Sequence, residues 1–328
     1  MRDSTDSLPE ALTTAAEKHF GGPVKLSGLQ SLTGGSSSES WSFDAEFNQQ
    51  HFQLVLRRTA GKTERAPIDK RTEAILQQLA AQKNVPVATI RFILDEEDGL
   101  GPGYVMDRIP GETIPRKILR DGEYAEARKN LSRQCGSILA RIHSIEAGSL
   151  PPLDKTPVRE QIHRLMTVPQ IYKENVPTFE FAVRWMMDHR PPERSPGLVH
   201  GDFRNGNLVV GPEGIRAVLD WELAHLGDPM EDLGYISINS WRFGNIDQPV
   251  GGFGQREDLF SGYEEEGGLK VDKEAVHFWE VFSTFKWGII CIVQGHAHLS
   301  GSVRSVNRAA TGRRVSETEV DLMNLLGY

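Results

Sequence analysis

The sequence predicts an α+β fold in two lobes: a small antiparallel sheet with one helix over residues 1–108, then a larger, mainly helical lobe over 109–328. Three observations lead there. Before residue 108, short runs rich in β-branched and aromatic residues alternate with turn signals, around one strongly periodic helical segment. Beyond it, apolar residues recur at helical spacing through several long segments. Between those helices sits a compact strand-rich stretch at 198–221.

In chain order, Ser7 and Glu10 have the spacing of a capping box, and Pro9 falls in the first turn, where its missing N–H costs nothing. That helix runs to about Lys18 and is closed by Gly21 and Gly22. Residues 24–32, 39–47 and 52–58 read as strands, and the small-residue stretch 33–38 joins the first two. A helix over 69–82 turns Ala74, Ile75, Leu76 and Leu79 inward. Strands at 87–94 and 103–107 close the lobe, with the acidic run 95–99 between them as a solvated hairpin tip. After the break at Pro110 and Gly111, helices are predicted at 124–145, 178–189, 273–295 and 317–326. In the first of these, Leu131, Cys135, Ile138, Leu139 and Ile142 keep the 3.6-residue period.

Composition narrows the function. The 37 Lys and Arg residues against 45 Asp and Glu leave a formal charge of −8, which argues against a protein that works by neutralising nucleic-acid phosphates. The two cysteines, Cys135 and Cys291, belong to no CxxC pair and read as reduced thiols of the cytosol. The N-terminal residues have no apolar signal-peptide core. The longest apolar run, 281–293, contains Lys286 and is shorter than the roughly 20 residues a membrane span needs. The expectation is a cytoplasmic protein, monomer or homodimer, with no nucleic-acid or membrane partner.

The densest chemical signal is His200-Gly201-Asp202-Phe203-Arg204, followed by Asn207 and by Asp220-Trp221. Residues 211–214 form a turn, so 208–210 and 215–219 should pair as a hairpin. Antiparallel pairing brings the outer ends together, placing Asn207 and Asp220 where their oxygens can meet on one ion. Two hard oxygen ligands suit Mg²⁺, which binds through few protein groups together with substrate phosphates. Asp202, held off the metal in the same loop, is placed to accept a proton from an attacking hydroxyl. Arg204 can set a guanidinium on a transferring phosphate. Metal, base and cation together are what phosphoryl transfer requires.

The H-G-D-x-x-x-x-N pattern with its following D-W resembles the catalytic and metal-binding loops of the aminoglycoside phosphotransferase family. That family includes choline, homoserine and fructosamine kinases and is distantly similar to protein kinases. H-G-D-F-R looks most like the kinase domains fused to acyl-CoA dehydrogenases and their stand-alone bacterial relatives. The resemblance covers nearly the whole chain and implies a protein-kinase-like fold that uses ATP and Mg²⁺ to phosphorylate a small-molecule hydroxyl. It implies Asp202 as the base, Asn207 and Asp220 as Mg²⁺ ligands, and His200 as a residue that holds the loop. It places Arg57, or its neighbour Arg58, where the family carries a strand-borne lysine, and Glu73 as the acid that orients it. The stretch with Gly34, Gly35, Ser36 and Ser37 would cover the phosphates, although it lacks the G-x-G-x-x-G spacing. Met106 would lie beside the adenine, with the backbone of Asp107 and Ile109 supplying its hydrogen bonds.

Other groups have plainer readings. Asp228 and Asp232 should cap backbone amides. His296 and His298, two apart on a helix, face different ways and make no zinc site. Trp221, Trp241, Phe243 and Trp287 belong to the core or to an acceptor pocket, and 264–266 is a solvated acidic run. The acceptor itself stays open between an aminoglycoside and a hydroxyacyl or other metabolic alcohol, and a nucleotide-binding pseudokinase is the alternative without turnover.

Overall fold

Lys25–Leu32 (β1), Glu39–Phe47 (β2), Gln50–Arg58 (β3), Ile90–Ile93 (β4) and Gly103–Asp107 (β5) form a five-stranded sheet ordered β1-β2-β3-β5-β4. Every neighbouring pair runs antiparallel. The computed structural model describes residues 8–32, 38–59, 68–168, 170, 176–267 and 270–328. Ser7 of the capping box and the stretch Gly34, Gly35, Ser36 and Ser37 lie outside the described residues. Asn48 (φ 50°) and Gln49 (φ 64°) make the tight β2–β3 turn, both in the left-handed region that such a two-residue hairpin requires.

The period of two along β3 decides which helix covers which face. Leu54 and Leu56 join Phe43, Phe92 and Val105 under Leu8–Phe20 (α1), which buries Leu8, Leu12, Ala15 and Ala16. Val55 points the other way, to Ala74 of Lys70–Gln82 (α2) and to Tyr104 and Met106. Arg57 shares the Val55 side, and its cross-strand partner is Tyr104. The helix α2 starts at Asp69, whose carboxylate accepts from the Thr72 amide at 2.7 Å.

The strand expected at 87–94 is shorter than predicted, because only 90–93 pairs in the sheet. The acidic run joins β4 to β5 and is exposed as expected, apart from Asp98. It coils into a 3₁₀ turn at Glu96–Asp98, and the Asp98 side chain is 2% exposed. Asp98 accepts from Lys18 at 3.0 Å, meets His19 at 3.3 Å and accepts from the Asp95 amide at 2.8 Å. Burial raises its cost of ionisation, but those bonds outweigh it and hold the carboxyl below its usual range. The difference comes from the last turn of α1, where Lys18 and His19 both reach this one acid.

The second lobe begins with Pro115–Arg120 (α3) and Ala125–His143 (α4), then Val158–Met166 (α5) and Pro177–Asp188 (α6). Two small ribbons follow: Gly197–Val199 (β6) with His225–Gly227 (β9), and Leu208–Gly211 (β7) with Gly214–Val218 (β8). Met230–Tyr235 (α7), Arg256–Gly267 (α8), Lys273–Leu299 (α9), Val306–Gly312 (α10) and Val315–Leu325 (α11) complete it. The 27-residue α9 is, by length and composition, long and apolar enough to cross a membrane, longer than the run read from the sequence. It is the lobe's central helix, burying Phe278, Phe282, Phe285, Ile289 and Ile292. Helices α4 and α8 touch through glycines: a Cβ on Gly136 would lie 2.0 Å from the Leu259 carbonyl. Around that contact Glu265 pairs with Arg133, and Glu266 with Arg141 at 2.9 Å, so the acidic run serves the helix interface.

Candidate active site

The loop from His200 to Asn207 leaves β6 and enters β7, and Asp220 stands two residues past the end of β8. The Leu219 amide donates to the Asn207 carbonyl at 2.8 Å, extending the β7–β8 ladder by one rung. Asn207 and Asp220 therefore stand at the same end of one ribbon, as the hairpin reading required. Gly201 has φ +79°, and a Cβ there would lie 2.5 Å from the Leu223 carbonyl, so only glycine lets the two loop segments meet.

His200 is buried and fixed at both ring nitrogens. Its Nε2–H donates to the Leu219 carbonyl at 3.1 Å, and Nδ1 accepts from the Asp202 amide at 3.2 Å. Those partners demand the neutral imidazole, and burial lowers its pKa in the same sense. The Asp232 carboxylate accepts from the His200 amide at 2.8 Å and the Gly201 amide at 3.0 Å, and meets His143 Nε2 at 3.0 Å. Asp232 thus caps backbone amides, as expected of it, and Asp228 caps the Met230 amide at 3.0 Å.

Asp202 carries hydrogen bonds on both carboxylate oxygens. Oδ1 accepts from Tyr235 Oη at 2.6 Å and Arg204 Nε at 3.0 Å, and Oδ2 accepts from Asn207 Nδ2 at 2.6 Å. Arg204 does not project as a free cation. Its guanidinium stacks over Trp241 at 4.7 Å while its Nε holds Asp202. Its pKa is nonetheless raised, because the Asp202 charge outweighs burial.

Asn207 commits its amide nitrogen to Asp202, which leaves the amide oxygen to face a cation. Asp220 is held at φ 64°, ψ 64°, a left-handed conformation costing a non-glycine residue about 1–3 kcal/mol. Two hard oxygens from one ribbon, with the Asp220 side chain 29% exposed, are donor chemistry that fits Mg²⁺ and leaves room for phosphate oxygens.

Arg57 reaches across from the sheet to this ribbon. It ion-pairs with Asp220, its Nε lies 3.1 Å from Glu73, and Glu222 stands 3.8 Å away. Burial opposes its charge, but Glu73 and Asp220 reverse that and raise its pKa. Glu73 also accepts from Tyr104 Oη at 2.9 Å and from Lys70 at 2.5 Å. Met106 lies in β5 with 8% exposure. The Asp107 amide already donates to the Thr89 carbonyl at 2.9 Å, which corrects one expectation: from Asp107 only the carbonyl remains for an adenine. The Ile109 amide has no backbone partner among the described residues.

Sequence reasoning missed Tyr235, Lys70 and Glu222. Tyr235 had a signal, since it lies three residues after Asp232 and so on the same helix face. Lys70 had its i,i+3 spacing to Glu73. Trp221 is core, while Trp241, Trp287, Tyr235 and Phe243 form a separate aromatic cluster beside Asp202.

A profile of the phosphotransferase enzyme family matches residues 28–269, most of the chain and all of this site. The chain belongs to the phosphotransferase enzyme family. This phosphotransferase is 32% identical over 245 residues to acyl-CoA dehydrogenase family member 10 of Mus musculus, covering 71% of the chain and 22% of that protein. It is 33% identical over 144 residues to acyl-CoA dehydrogenase family member 11 of Mus musculus, covering 41% and 18%. It therefore spans about a fifth of the length of the curated relatives it matches. Among solved structures, a candidate aminoglycoside phosphotransferase from Ralstonia eutropha superposes with TM-score 0.75 at 23% identity, covering 97% of each chain. The aminoglycoside phosphotransferase APH(4)-Ia, solved with ADP and hygromycin B, gives TM-score 0.60 at 17% identity, covering 95% and 98%. At those identities the likeness establishes the fold: the chain is protein-kinase-like, a sheet-bearing lobe over a helical one.

Proposed function

We propose that this phosphotransferase is a kinase that moves the γ-phosphoryl group of ATP to the hydroxyl of a small molecule. One observation carries the reading: Asp202 and Asn207 share a hydrogen bond at 2.6 Å, while the ribbon sets Asp220 beside Asn207 and Arg57 against Asp220. In the reaction, Asp202 orients the acceptor hydroxyl and takes its proton. Arg57, held by Glu73, keeps positive charge at the phosphate side of the cleft. Mg²⁺ bound by Asn207 and Asp220 would supply the charge that neutralises the phosphates. The complex of APH(4)-Ia with ADP supports ATP as the donor.

A second observation bears on the acceptor. Arg204 over Trp241 at 4.7 Å, Trp241 against Trp287 at 4.8 Å and Arg314 over Trp287 at 5.8 Å form a cationic and aromatic wall beside the base. A cavity of about 370 Å³ next to Leu223, Ala224 and His225 is lined by Phe282, Lys286 and Arg164, and also by Asp154, which pairs with Arg164 at 3.3 Å. Each of these cations is paired with a carboxylate, so it is the stacked tryptophan faces that favour an acceptor with an acyl or other apolar portion.

The deciding experiment is a Mg·ATP phosphotransfer screen over aminoglycosides, amino alcohols, sugars and hydroxyacyl thioesters, read by ADP formation and by mass of the product. Phosphorylation of a hydroxyl is the expected result. Tight Mg·ATP binding with no turnover on any acceptor would make the protein a pseudokinase.

A further inference from the structure

We propose that Tyr235 is a positioning residue that, with Arg204, occupies one oxygen of Asp202 and reserves the other, Oδ2, for the acceptor's proton. The inference rests on the kinase reading above and deepens it to the level of one atom.

The two oxygens of a free carboxylate are equivalent, and rotation about the last side-chain bond exchanges them. Here they are distinct. Oδ1 holds two donors, Tyr235 Oη at 2.6 Å and Arg204 Nε at 3.0 Å, while among the described residues Oδ2 holds only Asn207 Nδ2 at 2.6 Å. A carboxylate oxygen accepts about two hydrogen bonds, so Oδ1 is full and Oδ2 has one lone pair left. The acceptor hydroxyl must then approach on the Asn207 edge, the side where Asp220 stands.

Both donors to Oδ1 are themselves anchored. Arg204 is stacked on Trp241. Tyr235 ends α7, and Asp232, one turn earlier on the same face, grips the His200 and Gly201 amides. A single short helix thus holds the backbone and the base of the same loop. That helix cannot drift: a Cβ on Gly234 would lie 2.7 Å from Trp279 Cβ of α9. Glu231 of the same helix meets His225 at 3.2 Å and Lys286 at 4.0 Å, tying it also to the segment after Asp220. Burial pushes the Tyr235 phenol well above its ordinary pKa, which keeps it a neutral donor.

In the step itself the acceptor oxygen forms its bond to the γ-phosphorus and its O–H proton passes to Asp202 Oδ2. The bridging P–O bond to the β-phosphate breaks, and its electron pair leaves on ADP. Without the phenol, the carboxylate can turn, and water competes with the acceptor for the phosphoryl group.

The test compares wild type with Tyr235→Phe, which removes one oxygen and keeps the ring. Measured are kcat and KM for Mg·ATP, the ratio of free inorganic phosphate to phosphorylated acceptor, and the melting temperature, with the acceptor found in the screen. The expected result is a kcat lower by roughly 10–100-fold, KM for ATP within about twofold, a raised phosphate ratio and unchanged melting. Arg204→Gln removes the other donor to Oδ1 and should raise the same ratio, which keeps the test decisive if Tyr235→Phe does not fold. Unchanged kcat and ratio overturn the proposal. So does a fall in kcat that tracks equal losses in melting temperature and ATP affinity, the mark of a merely structural tyrosine. A wild type that phosphorylates nothing removes the kinase reading first, before any variant is compared, and this assignment with it.

Discussion

Arg57 and Asp220 form an ion pair although 163 positions separate them, one on the sheet of the first lobe and the other on a ribbon of the second. The pair links the sheet of the first lobe to the β7–β8 ribbon of the second. Glu73 and Glu222 close around the same guanidinium, so its charge is shared by three carboxylates.

Replacing Arg57 with lysine keeps the charge and loses the span. An ammonium is a single point, whereas the guanidinium meets Glu73 and Asp220 together. The expected outcome is a KM for Mg·ATP raised by roughly tenfold or less, with kcat lowered less, in steady-state kinetics. Equal values in both proteins would remove Arg57 from the nucleotide site.

Asp202→Asn preserves shape and removes the proton acceptor. We expect kcat to fall by roughly 10²–10⁴, with nucleotide affinity in calorimetry unchanged. Full turnover in this variant contradicts the base assignment.

For Asp220→Ala the effect should lie in binding. Calorimetry with and without Mg²⁺ is expected to show loss of the metal-dependent part of ATP affinity. The fold should survive, since alanine tolerates the left-handed backbone no worse than aspartate by more than about 1 kcal/mol. Undiminished Mg·ATP affinity would remove Asp220 from the metal site.

Asp232 makes stability depend on acid. Burial raises its cost of ionisation, but bonds from His143 and the loop amides outweigh it and hold its pKa below the ordinary 3.8. Its contribution is fully present above the unfolded value and is lost as pH falls through the lower folded value. Asp232→Asn should therefore lower the melting temperature near neutrality and flatten the decline of stability below about pH 4. A mutant with the same acid limb as wild type would refute that role.

Much of this was legible in the chain. The strand read at 52–58 carries the period of two that separates Leu54 and Leu56 from Val55 and Arg57, and the turn at 211–214 already brought Asn207 to Asp220. Both follow from local geometry: a strand's period of two and a hairpin's pairing leave no choice of side or neighbour. The short helices 115–120, 158–166, 230–235 and 306–312 were not legible, because segments so brief have little helix stability of their own and form against tertiary contacts. The run 95–99 joins the β4–β5 hairpin and is exposed as read, but the burial of Asp98 was not legible for a related reason, since its partners Lys18 and His19 are some eighty positions away.

Sequence by itself determined the two-lobed class, the loop from His200 to Asp220 and the residue types that phosphoryl transfer needs, since these rest on spacing within one strand, turn or helix. Only the tertiary structure decided what touches them: Tyr235 and Arg204 on one oxygen of Asp202, Arg57 between Glu73 and Asp220, Asp232 under the loop amides. Those contacts join distant segments, and their partners are chosen by how the lobes and helices pack, which no local periodicity encodes.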